Sequence, residues 1–196
     1  MIITKPTPII LTGLKNLFKP IQLIFVLGVT FLVTLSATAE QYASGAQQLA
    51  TPQGTMLINT GHVSHFNAND FYVYSFMFQP KESKEWHQVP RIEKETDPKM
   101  LFTIQTKHTP DAILFDARVI AAKQSVYLVT GKKETARTTA DDGPVTLTVY
   151  ELVKLDDYER WVFLRKMTQK TAPKISVEKA IENVSKTLTE IIHKFN

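Results

Sequence analysis

Cysteine is absent from all 196 positions. That excludes disulfides, thiolate metal sites, covalent haem attachment, a cysteine nucleophile and a lipid-modified N-terminal cysteine. Small exported domains of animal cells lean on disulfides, so a cysteine-free exported chain fits a bacterial envelope better. Glycine is scarce too, with seven residues. Gly131-Lys132 lacks the earlier glycine of a phosphate-binding loop, and no G-x-S-x-G elbow surrounds Ser64. No internal repeat or low-complexity tract is present.

Acidic residues are missing from the first 39 positions, which carry Lys5, Lys15 and Lys19. From Ile21 to Ala39 there is no charge, and the core of that run is IQLIFVLGVTFLVTL. Ser36-Ala37-Thr38-Ala39 follows and then Glu40. A cationic start, an apolar middle and small residues at Ala37 and Ala39 describe a secretory signal peptide over 1–39, cut before Glu40. The alternative is an uncleaved single-pass anchor, since a spanning helix needs about 20 apolar residues. Gln22, Gly28, Thr30, Thr34, Ser36 and Thr38 dilute the run, and no basic stop-transfer cluster follows. Either way the lysines hold the N-terminus on the cytoplasmic side, so the body is expected in the periplasm or secreted, or tethered at the inner membrane.

Removing 39 of 196 residues leaves 157, enough for one domain. The three lysines lost have no acidic counterparts, so the net charge of +4 falls to +1. A nearly neutral body without a basic stripe excludes nucleic acid as a partner class. Membrane contact is expected only through the N-terminal segment.

Residues 40–54 are small and polar and read as a flexible lead-in. Residues 55–172 are dominated by period-two alternation, the mark of strands. FYVYSFMF (71–78) is apolar on both faces and reads as a central strand covered on both sides. Ile113, Phe115, Ala117 and Val119 share one face of the next clear strand, with Asp116 and Arg118 opposite. Val145, Leu147, Val149 and Val153 alternate with Thr146, Thr148 and Lys154. Across an Asp156-Asp157 turn, Trp161, Phe163 and Met167 face one way, so the two runs pair as a hairpin. In 173–196, Ser176 is a helix N-cap. Val177, Ala180, Ile181, Val184, Leu188, Ile191, Ile192 and Phe195 form the stripe of an amphipathic helix. The expected fold is mainly β (α+β): an antiparallel sheet, as a sandwich or partly closed barrel, with one C-terminal amphipathic helix.

Two segments carry candidate chemistry. His62, His65 and Asp70 lie within nine residues and are ligand types that zinc accepts. Residues three apart on a strand face opposite ways, so the two histidines converge only if the segment turns. The other is the polar connection Gln79–Lys99, longer than ordinary loops. It carries Trp86 and Arg91, residue types enriched where partners dock. Its plainer reading is a short edge strand anchored by Trp86. Leu188, Ile191 and Phe195 of the helical stripe are further partner-binding candidates, although packing on the sheet accounts for them equally.

No base, acid and oxyanion donor can be assigned together, so no catalytic residue and no cofactor is expected. The expectation is an envelope protein that is not an enzyme and binds or assists the assembly of another protein. A periplasmic metal-dependent hydrolase centred on the histidines is one alternative. A membrane-anchored subunit of an envelope complex is another.

Overall fold

The computed structural model describes residues 42–64, 70–122, 125–134, 143–156 and 159–192, the last four of these by backbone alone. They belong to one unit of the chain, Thr38–Asn196. The elements are β1 (Gly45–Ala50), β2 (Gly54–Val63), β3 (Phe71–Pro80), β4 (His87–Gln88), β5 (Arg91–Ile92), β6 (Thr103–Gln105), β7 (Lys107–His108), β8 (Ile113–Ala122), β9 (Ser125–Lys133), β10 (Val145–Leu155), β11 (Arg160–Lys170) and α1 (Val177–Ile192).

Two sheets result. The first runs β1-β2-β3, with β4 and β6 both paired to the far side of β3. The second runs β5-β11-β10-β9-β8-β7. All pairings are antiparallel except the short β5–β11 contact.

Alternation in β2 and β3 turns Met56, Ile58, Tyr74, Phe76 and Phe78 onto one face. There they meet Ala117, Val119, Val126, Leu128, Tyr150, Leu152 and Phe163 of the second sheet. β3 crosses the second sheet from β8, where Tyr74 reaches Asp116, to β11. At that end Phe76 stands edge-on to Phe163 and Phe78 edge-on to Trp161, at ring separations of 5.5 and 4.7 Å. The chain changes layer three times among the described residues. It returns from β5 to β6 across 93–102, and it turns two sharp corners of the kind crossed sheets need. One lies between β4 and β5, across Val89-Pro90. The other lies between β6 and β7, at Thr106.

The second sheet is covered on its other face by α1. Val177, Ala180, Ile181, Val184 and Leu188 pack on Tyr127, Val129, Val145, Leu147 and Val149. Contact is close at Gly131, where a Cβ would sit 3.0 Å from Val177 Cγ1. Ser176 caps the helix as expected, accepting from the Lys179 N–H at 3.2 Å. The fully enclosed strand is therefore β9, buried from Val126 to Gly131. β3 is central, but Val73, Ser75 and Met77 on its outer face stay half-exposed.

Three further expectations need correction. Within the presumed lead-in, Gly45–Ala50 is a strand paired with β2. Trp161 and Phe163 join the inter-sheet core, whereas Met167 lies on the helix side. A bulge causes the switch: Val149 pairs with Met167 but Tyr150 pairs with Arg165, leaving Lys166 unpaired. One extra residue reverses every later side chain. Lys166 turns to Glu151, 3.1 Å away. Finally, Asp116 does not lie on a solvent-facing side of β8; it is 3% exposed.

Candidate functional site

The connection after β3 is built into both sheets. Val89 N–H donates to the Phe76 carbonyl at 2.9 Å, and Phe163 N–H donates to the Pro90 carbonyl at 2.8 Å. Val89 and Ile92 are buried and anchor the segment. Arg91 and Leu101 exchange both backbone hydrogen bonds, at 2.9 and 3.0 Å.

Side chains brace it further. The Arg91 guanidinium lies over the Tyr150 ring, 5.5 Å from its centroid, within cation–π range. Arg91 Nε is buried without an acceptor among the described residues, so the ring face is the compensation seen there. The Tyr150 hydroxyl donates to Glu93 Oε1 at 3.1 Å, and Glu93 Oε2 pairs with Arg165 at 2.9 Å. Burial pushes the Tyr150 phenol up to about 12, so it remains a donor at neutral pH.

With Val89 and Ile92 as anchors, Trp86 is released from that duty. It is 36% exposed, and Leu101 and Phe102 are exposed at 36% and 43%. Trp86 precedes β4 and Phe102 precedes β6, so both flank the same edge of β3. Sequence reasoning singled out Trp86 and Arg91 and missed Leu101 and Phe102. The local signal is the apolar run MLF (100–102), which does not say which of its side chains face water.

The histidine segment lies at the opposite end of β3. His62 Nε2 sits 3.2 Å from Asp70 Oδ2. The His62 ring packs against Tyr72 at 4.9 Å, and Tyr72 against His108 at 6.0 Å. His65 lies outside the described residues. Among the described residues no group of three His, Asp or Glu side chains could hold a metal ion. The pair is half-exposed, and its contact steadies the ends of β2 and β3.

Deeper at this end lies a polar cluster that sequence reasoning did not find. The Asp116 carboxylate accepts from the Tyr74 hydroxyl at 2.9 Å and the Ala117 N–H at 2.8 Å. Burial pushes its pKa upward against both hydrogen bonds. Burial also holds His108 below the usual imidazole range, with Asp116 pulling the other way. The Tyr42 ring stands edge-on to Tyr74 at 5.4 Å. Its hydroxyl accepts from the Val119 N–H at 2.7 Å, and burial pushes it up to about 12.

Of the helical candidates, Leu188 is fully buried against the second sheet and offers no surface. Ile191 lies in the last turn of α1. Phe195, Ala37 and Ala39 lie outside the described residues.

These features define the chain as a two-layer β-sandwich whose second sheet is backed by a C-terminal helix. Among solved structures it is similar to the crystal structure of CarG, at a TM-score of 0.54 and 18% identity, over 73% of this chain and 90% of CarG. At that identity the likeness is one of fold. No protein-family model and no curated protein matches the chain.

Proposed function

We propose that this protein is an exported, non-catalytic module of the bacterial envelope that recognises another protein through the surface carrying Trp86, Leu101 and Phe102. The observation that carries the reading is the exposure of these three side chains on a connection fixed to both sheets. A tryptophan left out of the core on a mobile loop would mean little. Here the backbone is fixed by β4, β5 and the Arg91–Leu101 bridge, so little ordering is needed when a partner arrives. An exposed tryptophan on a backbone already ordered is characteristic of binding hot spots. Export rests on the leader pattern at 1–39, and N-terminal sequencing of the envelope form should begin at Glu40.

The test is site-specific photocrosslinking in living cells, with a photoreactive phenylalanine at Trp86, Phe102 or, as control, Thr168 on the exposed side of β11. The expected result is one common adduct from positions 86 and 102 and none from 168. Adducts that are equal at all three, or absent from both 86 and 102, would overturn the assignment.

A further inference from the structure

Sheet edges invite pairing, and proteins protect them by shortness, charge, proline or bulges. Among the described residues this fold has four edges, and three are short: β4 with β6 beside β3, then β5, and then β7. They span two residues each, or three for β6. The fourth, β1, spans six residues, GAQQLA, and has β2 on one side only. No Asp, Glu, Lys or Arg occurs between Glu40 and Asp70, and no proline or bulge interrupts the β1–β2 register. β5 and β7 each pair with only two residues of β11 and β8. The stretches they leave carry Arg165, Lys166, Lys170 and a bulge in β11, and Arg118 in β8. Among the described residues β1 is thus the one long edge without any of these protections.

We propose that β1 is the pairing edge for a second copy of this chain, joining two first sheets antiparallel about a two-fold axis at Gln48. Three observations choose a second copy over a foreign strand. The edge is neutral, so it offers no charge to select an unlike partner. Its regular part is symmetric in extent: Gly45 has a positive φ of 114° and Pro52 removes an N–H beyond Ala50. The middle of Ala46–Ala50 is therefore Gln48. Its faces also match. A two-fold axis normal to the sheet keeps inner side chains inner, so only residues of the same parity can oppose each other. Centring on Gln48 sets Gln47 against Leu49, both half-buried, and Ala46 against Ala50, both exposed. At the axis Gln48 meets itself, and a carboxamide carries both donor and acceptor groups to satisfy its own copy. An ionised residue there would repel its mate. The pairing leaves Trp86 and Phe102 on the far side of each first sheet, so it does not compete with the recognition surface.

The absence of cysteine makes the test direct. Opposed Cα atoms in an antiparallel pair are about 4.5–5.5 Å apart, inside the range of about 4.4–6.8 Å that a disulfide bridges. The full chain is expressed and the protein purified in the form the cell retains. Light scattering should give twice the chain mass found by denaturing mass spectrometry. Gln48→Cys should form a dimer on mild oxidation that reductant reverses, whereas Thr168→Cys should not. Gln48→Lys, which sets two ammonium groups against each other, should return the mass to one chain with the circular dichroism unchanged. A single-chain mass for the unaltered protein overturns the proposal. So does a dimer that survives Gln48→Lys and gives no more crosslink at 48 than at 168. Should Gln48→Lys fail to fold, the crosslink and the unaltered mass decide the matter without it.

Discussion

The Tyr74 hydroxyl donates to Asp116 Oδ1 across the inter-sheet core, 2.9 Å between residues 42 apart in sequence. It joins β3 to β8 at the end of the sandwich where aromatic and polar side chains replace aliphatic ones. A buried acceptor deprived of a donor costs about 1–3 kcal/mol. Tyr74→Phe should destabilise the fold by that amount in urea unfolding.

Asp116 also makes stability depend on pH. Its folded pKa lies above the ordinary value of 3.8 because burial disfavours the carboxylate. The folded state therefore holds the proton more tightly than the unfolded one. The stabilisation is fully present below the unfolded pKa and is lost as pH rises through the folded one. Asp116→Asn keeps an oxygen for Tyr74 and Ala117 but cannot ionise. Its stability relative to the parent should climb with pH above 3.8 and then level off. A flat difference across a pH series of denaturation curves would contradict the burial argument.

Stability and recognition should separate within one connection. Val89 is buried, and Val89→Ala removes two methyl groups and leaves a void, costing about 1–3 kcal/mol. Trp86 makes no comparable commitment to the core, so Trp86→Ala should stay within about 0.5 kcal/mol of the parent. Thermal unfolding of the two variants measures the contrast directly.

Helix docking turns on one hydrogen atom at Gly131. A valine there would drive its side chain into Val177 and Ile181, whose atoms already lie 3.0–3.3 Å from where a Cβ would stand. Overpacking of this kind costs about 1–3 kcal/mol. Gly131→Val should lower the melting temperature and bring α1 amides into earlier hydrogen exchange.

Leu188 offers a complementary check. Its side chain is completely buried against the second sheet, so Leu188→Ala should cost about 2–5 kcal/mol. A change near zero would mean that this end of α1 is not held against the sheet in solution.

Where alternation was strict, the strands and their pairing could be read directly from the sequence. β10 and β11 are an example: they pair as the expected hairpin, although both bury side chains on two faces and a bulge shifts their register midway. The helix was legible for the same reason, at a period of 3.6. What escaped was anything that depended on a partner far along the chain. Met167 changes face because of a bulge whose cause is a mismatch with β10. Asp116 resembled any outward charge until Tyr74 supplied its hydroxyl from 42 residues away. GAQQLA has too little apolar character to announce a strand, and β2 makes it one. In the candidate surface, Trp86 and Arg91 were visible as residue types. Leu101 and Phe102 were not, since nothing local distinguishes an apolar pair that faces water from one that does not.

All three layer changes, at Val89-Pro90, across 93–102 and at Thr106, occur along the same margin of the first sheet, beside β3. The two layers are consequently bound like a book, with a stitched spine there and, among the described residues, an unstitched fore-edge at β1. Across that fore-edge the clasp is Tyr42, through its hydroxyl at the Val119 backbone. Fluctuations should open the pages from the clasp side, with the Val119 amide, which donates to Tyr42, exchanging before those beside the spine. Tyr42→Phe should widen that difference while leaving the stitched margin as slow as before.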